Sequence, residues 1–322
     1  MSNARLLVNK TNVNDEFMTL YDDVAAEMSF YADEFEDKCI YAPCDTEQSS
    51  FYRYFLENFK ALKIRKLIAS HYEEGADKVI VTVVHGDEEG NPHVCYRCVS
   101  CDGDFSSPKL DGFWADADII ITNPPFSKFR AFYQKIQDMA KKFIVVGNVN
   151  FCGILHGFYP LQSGNLFEGF THRCAGWVFE IPESDCYGDN VIHENGKHYV
   201  KLSFCRWFTN MKHPVIEPLV LTKEYSPEAY PEYDNYKAIE VSKTKDIPKD
   251  FYGLIGVPVT FIDKWNSSQF ELVGVSAEYW AYKNHEYCKK PNYKIHRIGN
   301  CWIGGKMKYT RFFIRRRDDD NG

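Results

Sequence analysis

The sequence lacks a long hydrophobic segment. Its strongest apolar runs, such as Val79–Val84 and Phe143–Val146, are far shorter than the roughly 20 residues that a membrane helix needs. Met1–Lys10 has no apolar stretch of the kind found in secretory signals. We therefore expect a cytoplasmic protein with no membrane partner. The 11 cysteines are an odd number scattered along 322 residues, which suits reduced thiols better than a disulfide framework.

An overall excess of basic residues is also missing, since 38 Lys and Arg face 45 Asp and Glu for a net charge of −7. The signs are unevenly distributed, because residues 1–150 have a net charge of −8 and residues 151–322 of +1. Within the second part, Ala281–Arg317 has a net charge of +10 and interspersed aromatic residues. Such a mixture is typical of a surface that contacts phosphates and bases. For a basic run alone, a solvated sheet edge is the simpler interpretation.

The paired Cys-x-x-Cys units of a typical zinc site are absent as well. Cys95, Cys98 and Cys101 follow one another at two-residue spacers with His93 upstream, but the chain has no second, separate pair. Residues three apart on a strand point to opposite faces. We interpret these thiols as packing residues and expect no metal site, with metal ligation as the alternative.

Alternating helix and strand patterns predict an α/β fold. The predicted helices cover residues 14–37, 50–62 and 129–141. Nearly continuous apolar runs predict strands over residues 38–41, 66–70, 78–84, 117–122 and 142–147. Such strands indicate a buried, mainly parallel sheet. After residue 150 the clearest strand-like runs are residues 215–221, 253–262, 270–275 and 309–315.

The strongest chemical signal is the tetrapeptide Asn123-Pro124-Pro125-Phe126. It directly follows the apolar strand Ile119–Thr122, and ligands of open α/β sheets bind beyond the carboxyl ends of strands. The prolines remove backbone donors and leave carbonyl acceptors beside the Asn123 amide oxygen. If the Asn123 oxygen and the Pro124 carbonyl each accept one hydrogen of a planar amine, and Phe126 stacks on its ring, the nitrogen becomes a better nucleophile toward a methyl group. A simple Asn-Pro turn is the alternative.

This tetrapeptide resembles the catalytic loop of amino-methyltransferases that use S-adenosylmethionine. Further segments resemble, in order along the chain, one branch of those enzymes, the EcoRI-type adenine-specific DNA methyltransferases. These segments are Asn14–Thr19, Ala42–Asp45 with Ser50-Phe51 and Tyr54-Phe55, Asp102–Ser107, Phe143–Asn150, and Gly256–Phe261 with Asp263-Lys264. The resemblance extends from residue 14 to residue 315, but the Gly-rich cofactor turn of many methyltransferases is absent.

The resemblance implies a Rossmann-like methyltransferase sheet with helices on both faces, plus a strand- and loop-rich C-terminal part. Residues 1–150 would form the cofactor-binding and catalytic core, and residues 151–322 the remaining core strands and the DNA target-recognition region. S-adenosylmethionine is the implied methyl donor, with Asp45 on its ammonium group and Asp104 and Phe105 on its adenine. The implied cofactor contacts are Asn14, Phe17, Thr19, Pro43, Cys44, Asp45, Asp104 and Phe105.

The predicted activity is methyl transfer to the exocyclic N6 amino group of an adenine flipped out of double-stranded DNA. The expected DNA contacts are Lys128, Arg130, Asn148, Asn150, Lys289, Lys290, Lys306, Lys308 and Arg311. We expect a monomer that serves a restriction-modification system with a cognate endonuclease, or an orphan or phage methylase. The alternatives are methylation of cytosine, RNA or protein glutamine, and a catalytically silent DNA-binding module.

Overall fold

The structure, a computed structural model, describes residues 17–171, 176–183, 191–289 and 300–317. The chain forms two compact units, of which unit 1 comprises Met1–Asn148 and Phe167–His213 and unit 2 comprises Val149–Leu166 and Pro214–Gly322. The division at residue 150 separates a predicted cofactor-binding and catalytic core from the remaining core strands and a predicted target-recognition region, and it stays a prediction. In the ranges that the structure describes, no helix is both long and apolar enough to cross a membrane.

The described residues of unit 1 form two sheets and four α-helices. Its strands are β1 (Met18–Thr19), β2 (Cys39–Ala42), β3 (Lys66–Ala69), β4 (Val79–Gly86), β5 (Pro92–Val99), β6 (Ile119–Thr122), β7 (Lys142–Asn148), β8 (Phe167–Glu168), β9 (Trp177–Ile181), β10 (Val191–Glu194), β11 (Lys197–Leu202) and β12 (Cys205–Thr209). Its helices are α1 (Tyr21–Met28), α2 (Ser50–Glu57), α3 (Asp111–Asp116) and α4 (Phe129–Asp138). Eight strands form a sheet in the order β5-β4-β3-β2-β6-β7-β12-β8, and β1-β9-β11-β10 form the second sheet.

The large sheet is mixed, so the prediction of a mainly parallel sheet is wrong. β3, β2, β6 and β7 are parallel neighbours, whereas β4, β5, β12 and β8 join the sheet through antiparallel pairings. The difference begins with β4, which pairs antiparallel with β3. Asp87 then forms the turn to β5, because its carboxylate accepts the Asn91 N–H at 2.8 Å. The five strands predicted before residue 150 are confirmed to within about two residues, as expected for strand boundaries.

Buried strands and amphipathic helices form the core of unit 1. β2 and β6 are buried along their whole length, which requires cover on both faces of the sheet. Helix α2 begins at its N-cap Ser49, whose hydroxyl accepts the Tyr52 N–H at 3.3 Å. Helix α4 buries residues at helical spacing, namely Phe129, Phe132, Tyr133 and Ile136. The helix predicted over residues 14–37 is shorter than expected, since α1 begins at Tyr21 after β1 and continues as a 3₁₀ helix over Ser29–Glu34.

Unit 2 contains a smaller sheet. Its strands are β13 (Ala238–Glu240), β14 (Leu254–Pro258), β15 (Phe270–Val275), β16 (Trp302–Ile303), β17 (Lys306–Met307) and β18 (Arg311–Arg316), and its helices are α5 (Leu155–Gln162) and α6 (Glu278–Lys283). Four strands form a sheet in the order β13-β14-β18-β15, and β16 pairs with β17. The strands predicted over residues 270–275 and 309–315 are confirmed, and residues 253–262 begin as β14 and continue as a 3₁₀ helix.

One strand predicted for unit 2 is wrong. Residues 215–221 are described by the structure and form no strand. Val215 and Val220 are 86% and 88% exposed, whereas the other apolar residues of this run are half-buried. Backbone groups of the run form hydrogen bonds with the side chains of Asn266 and Gln269. A short apolar run therefore does not suffice to predict a strand, because side chains can satisfy its backbone groups.

Candidate active site

The Asn123–Phe126 loop leaves the carboxyl end of β6 at a reversal of the strand order. From β2 the chain proceeds to β3 on one side, and from β6 it proceeds to β7 on the other side. Such a switch point opens a crevice beyond the strand ends, where ligands of open α/β sheets bind. The loop after β2 contains Asp45, so two predicted site segments leave neighbouring parallel strands at the same edge of the sheet.

Asn123 is held by the segment that contains β1. Its amide nitrogen donates a 2.6 Å hydrogen bond to the Phe17 carbonyl oxygen and a 3.2 Å hydrogen bond to the Thr19 hydroxyl. β1 is in turn paired with β9. Because the amide nitrogen faces this segment, the side-chain oxygen of Asn123 is directed away from it.

Thr122, the residue before Asn123, connects the loop to the end of β2. Its hydroxyl donates a 2.5 Å hydrogen bond to the Asp45 carboxylate, and Asp45 is only 5% exposed. Pro43 is buried and Cys44 is half-buried beside it. Thr122 was not among the predicted site residues. Its signal in the sequence is its position as the last residue of a buried strand at the switch point.

Asp104 lies in a loop that only glycine allows to form. Gly103 has a φ of +80°, and a Cβ at this position would lie 1.9 Å from the His71 carbonyl oxygen. The Asp104 carboxylate accepts hydrogen bonds from the Lys128 ammonium and from the Ser106 hydroxyl, each at 2.6 Å. Burial opposes the ionisation of Asp104, but these hydrogen bonds outweigh it and hold the pKa of Asp104 below its ordinary value.

The two predicted stacking residues differ in exposure. Phe105 is 5% exposed, and its ring centroid lies 5.0 Å from that of Phe132 in a T-shaped contact. Phe126 is half-buried, with its ring centroid 5.4 Å from that of Phe17 and 6.3 Å from that of Phe204. Phe126 therefore has ring surface available to a ligand, whereas the Phe105 ring belongs to the packed core in this conformation.

The residues predicted to contact DNA near the Asn123–Phe126 loop have different environments. Besides the ion pair just described, the Lys128 ammonium lies 5.1 Å from the centre of the Tyr72 ring. Arg130 is exposed on α4. Asn148 ends β7 and is half-buried, and Asn150 is exposed in unit 2.

Arg311 was predicted to contact DNA, but it has a partner in the core of unit 2. Its side chain is 8% exposed, and its guanidinium donates to both carboxylate oxygens of Glu240, at 2.8 and 3.1 Å. Burial opposes the ionisation of Glu240, but hydrogen bonds from Arg311, Ser242 and Tyr233 outweigh it and lower the pKa of Glu240. We therefore remove Arg311 from the predicted DNA contacts, because a buried ion pair is costly to break.

The other cations predicted to contact DNA from unit 2 lie at its surface. Lys289 pairs with Glu232 at 2.5 Å and is 30% exposed. Lys306 on β17 is exposed, and Lys308 just after this strand is half-buried. Two predicted site residues lie outside the described residues, namely Asn14 and Lys290.

The cysteine cluster is a surface feature of β5 and the loop after it. Cys98 is exposed, so its interpretation as a packing residue is wrong. The Cys95 sulfur lies 3.4 Å from Nδ1 of His93. Over the stretches of chain that the structure describes, no group of three or more His, Cys, Asp or Glu side chains is arranged to hold a metal ion.

Comparison with known proteins identifies the family. The sequence model of a family described as "Adenine-specific methyltransferase EcoRI" matches residues 5–317. The chain is 34% identical to the Type II methyltransferase M.EcoRI of Escherichia coli over 293 residues, which cover 84% of this chain and 89% of the relative. It is 32% identical to the Type II methyltransferase M.MgeORF184P of Mycoplasma genitalium over 317 residues, which cover 94% and 96% of the two chains.

A third relative matches the chain over a similar length. The Type II methyltransferase M.MpnI of Mycoplasma pneumoniae is 29% identical over 318 residues, which cover 95% of this chain and 96% of the relative. No solved structure matches the chain significantly. The resemblance predicted from ordered sequence segments is confirmed, and the chain belongs to the EcoRI family of adenine-specific methyltransferases.

Proposed function

We propose that the protein is a DNA methyltransferase of restriction-modification type that transfers a methyl group from S-adenosylmethionine to the N6 amino group of a flipped adenine. Membership of the family supports methyl transfer to adenine, and the Type II names of the relatives support the role in restriction-modification. The observation that carries the proposal is the orientation of the Asn123 amide at the carboxyl end of β6. We further propose that the enzyme acts as a monomer.

The strand order supports a Rossmann-like methyltransferase sheet. Its parallel part, β3-β2-β6-β7, has its reversal between β2 and β6, and α2 and α4 each follow one strand of this pair. In this arrangement the loops after β2 and β6 line one crevice. The loop after β2 then binds the methyl donor, and the loop after β6 binds the amine that accepts the methyl group.

The residues around Asp45 fit the methyl donor. S-adenosylmethionine would supply a methyl carbon bonded to a sulfonium sulfur. Attack of a nucleophilic nitrogen on this carbon would break the carbon–sulfur bond and release a neutral thioether, and the methylated amine would lose one proton to solvent. The Asp45 carboxylate, ordered by Thr122 and buried at the end of β2, suits the ammonium group of this molecule. Asp104 suits its adenine amino group as a second acceptor, through carboxylate oxygens that bond to Lys128 and Ser106 in this structure.

Asn123 and Pro124 act on the amine that receives the methyl group. An adenine amino nitrogen is a weak nucleophile because its lone pair is delocalised into the ring. The Asn123 side-chain oxygen and the Pro124 carbonyl oxygen each accept one amino hydrogen, which returns the lone pair to nitrogen and fixes its direction. The ring of Phe126 stacks on the base. An amide is not a strong base, so these residues contribute through positioning and electrostatics.

Base flipping follows from the geometry that this chemistry requires. An adenine inside a duplex has its amino group in the base pair and cannot reach two acceptors on a protein loop. The cations of the protein neutralise the phosphates around the displaced nucleotide. The proposed contacts are Lys128, Arg130, Asn148, Asn150, Lys289, Lys306 and Lys308.

Transfer of a labelled methyl group from S-adenosylmethionine into unmethylated duplex DNA tests the proposal, with sequencing of native strands to locate the modified bases. We expect N6-methyladenine at one short recurring motif. Methylated cytosine would contradict the adenine assignment, and label that enters only RNA or protein would contradict the DNA assignment. Failure to bind the donor at all would favour a silent DNA-binding module.

A further inference from the structure

We propose that Thr19 is a positioning residue for the methyl transfer, and that its hydroxyl and the Phe17 carbonyl together orient the Asn123 amide toward the target amine. The family resemblance implies Phe17 and Thr19 as cofactor contacts, so this is a different role for the same segment. The inference rests on the proposed function, because it concerns the acceptor of the amine hydrogens.

The hydrogen-bond chemistry determines which way the Asn123 amide points. The oxygen and nitrogen of an asparagine amide have nearly the same shape, and their assignment depends on the surrounding hydrogen bonds. A carbonyl oxygen can only accept, so the Asn123 atom that lies 2.6 Å from the Phe17 oxygen is the donor nitrogen. The Asn123 oxygen therefore faces away from the segment and remains the acceptor for a substrate. The reversed amide would present its N–H groups to the hydrogens of the amine.

Thr19 supplies the second hydrogen-bond acceptor for the Asn123 amide nitrogen. An amide nitrogen has two hydrogens, and Thr19 accepts the second one at 3.2 Å. With both hydrogens engaged, a rotation of the amide breaks two hydrogen bonds instead of one. Donation from the nitrogen also polarises the amide and makes its oxygen a stronger acceptor. Thr19 is 6% exposed, so water does not readily replace its hydroxyl.

The backbone around Thr19 is anchored independently of Asn123. Thr19 is paired with Phe179 and Met18 with Glu180 in the antiparallel β1–β9 ladder. The Phe17 ring centroid lies 5.9 Å from that of Phe179. The Thr19 hydroxyl is thus presented from a sheet that includes neither the catalytic loop nor Asp45, which makes it a fixed reference for the amide.

Single-turnover methylation by the full chain, with saturating S-adenosylmethionine and duplex DNA, tests this role. We expect Thr19→Val, which keeps the shape and removes the hydroxyl, to lower the rate constant about tenfold, the effect of losing about one hydrogen bond in the transition state. The dissociation constant of S-adenosylmethionine should stay within about twofold of the wild-type value. Thr19→Ser restores the hydroxyl and should recover most of the rate. Thr19→Ala removes the hydroxyl in a second way if the valine variant folds poorly.

Thr209→Val is the matched control, because Thr209 is also a buried strand threonine of unit 1. Its hydroxyl donates to the Phe143 carbonyl at 2.8 Å, at the end of β7 opposite to the catalytic edge. Its loss should lower the melting temperature without changing the rate constant. A rate constant that falls with melting temperature in both variants would overturn the proposal.

A double-mutant cycle separates this role from a direct one. If Thr19 acts through Asn123, the Thr19→Val change should have no further effect in an Asn123→Ala background. An equal loss in both backgrounds, or weaker donor binding in place of a slower rate, would overturn the positioning role. The proposed function fails separately, if the wild-type enzyme forms no N6-methyladenine or if Asn123→Ala retains the full rate.

Discussion

Two buried polar clusters, one in each compact unit, are arranged in different ways. In unit 1, Thr122 and Asn123 form hydrogen bonds to two separate segments at the carboxyl end of a strand, and the Asn123 oxygen is directed away from the segment that contains Thr19. In unit 2, Arg311 on β18 and Glu240 on β13 neutralise each other within one sheet. A polar cluster with an outward acceptor suits a substrate, whereas a mutually neutralised pair contributes to folding.

The largest expected effect is a loss of stability when the Arg311–Glu240 ion pair of unit 2 is broken. Arg311→Ala leaves Glu240 with a buried, uncompensated charge and should lower the free energy of unfolding by about 3–5 kcal/mol. Urea denaturation followed by circular dichroism measures this change. Lys306→Ala, at an exposed position, is the control and should change stability by no more than about 0.5 kcal/mol. A stable Arg311→Ala protein with weaker DNA binding would return Arg311 to the DNA surface and remove the contrast between the two clusters.

The second largest expected effect is a loss of methylation rate when the Asn123 side-chain oxygen of unit 1 is removed. Asn123→Ala should lower the single-turnover methylation rate by about two orders of magnitude or more, the scale for losing a group that stabilises developing charge. The affinity for S-adenosylmethionine and the melting temperature should change little, as measured by calorimetry and thermal shift. An unaltered rate would show that the Asn123 side chain has no catalytic role.

A smaller effect concerns the exposed cations of unit 2. Replacement of Lys306 and Lys308 by alanine should weaken DNA binding uniformly across sequences and reduce the slope of log affinity against log salt by about 1 for each phosphate that the protein no longer neutralises. Fluorescence anisotropy at several salt concentrations measures the slope. Asn123→Ala should leave the slope unchanged, because its side chain carries no charge. An unaffected slope in the lysine variants would exclude the β16–β17 hairpin as a DNA contact.

The smallest effect is a difference in pH dependence between two buried carboxyl groups. Burial raises the pKa of Glu27 in unit 1, only partly offset by hydrogen bonds from Thr171, Phe170 and Tyr31. The pKa of Glu240 is lowered instead. A lowered pKa in the folded state contributes stability that is present above the unfolded pKa and lost as the pH falls, whereas a raised pKa has the opposite sign.

Glu240→Gln should therefore flatten the loss of stability between about pH 5 and pH 3, by at most about 1.4 kcal/mol per pH unit, the limit for one proton. Urea denaturation across this pH range measures the slope. A Glu240→Gln protein that loses stability on acidification as steeply as the wild type would mean that the ion pair does not govern this pH response.

The catalytic edge was predictable because a motif and a strand end coincide. The apolar run before Asn123 predicted β6, and the apolar run over residues 38–41 predicted the strand that forms β2. The family resemblance indicated Asp45 in the segment after it. Parallel strands bring their carboxyl ends to one edge, so sequence order alone is enough to collect these residues. The partners of Asn123 were not predictable as such, since the contact with Phe17 and Thr19 depends on how β1 pairs with a strand about 160 residues later.

Composition was a poorer guide than position in unit 2. The net charge of Ala281–Arg317 correctly indicates a basic segment, but it does not reveal that Arg311 is matched by Glu240 from a distant strand. Pairing between residues far apart in the sequence determined the environment of Arg311.

In unit 1, the apolar residues of 78–84 suggested a parallel strand, because burial on both faces is common to central strands of either direction. β4 instead pairs antiparallel with β3 and β5, the strands before and after it in the sequence.

The pairing of β1 with β9 has a consequence for the order in which the enzyme is made. Translation proceeds from the N-terminus, so Asn123 leaves the ribosome before Trp177–Ile181 has been synthesised. Until that strand is available, the chain segment around Thr19 lacks the ladder that anchors it. A nascent chain that ends after the Asn123–Phe126 loop therefore contains this loop without the strand that anchors its hydrogen-bond partners. If this loop is catalytic as proposed, we expect no methylation by a nascent chain that ends before Trp177–Ile181.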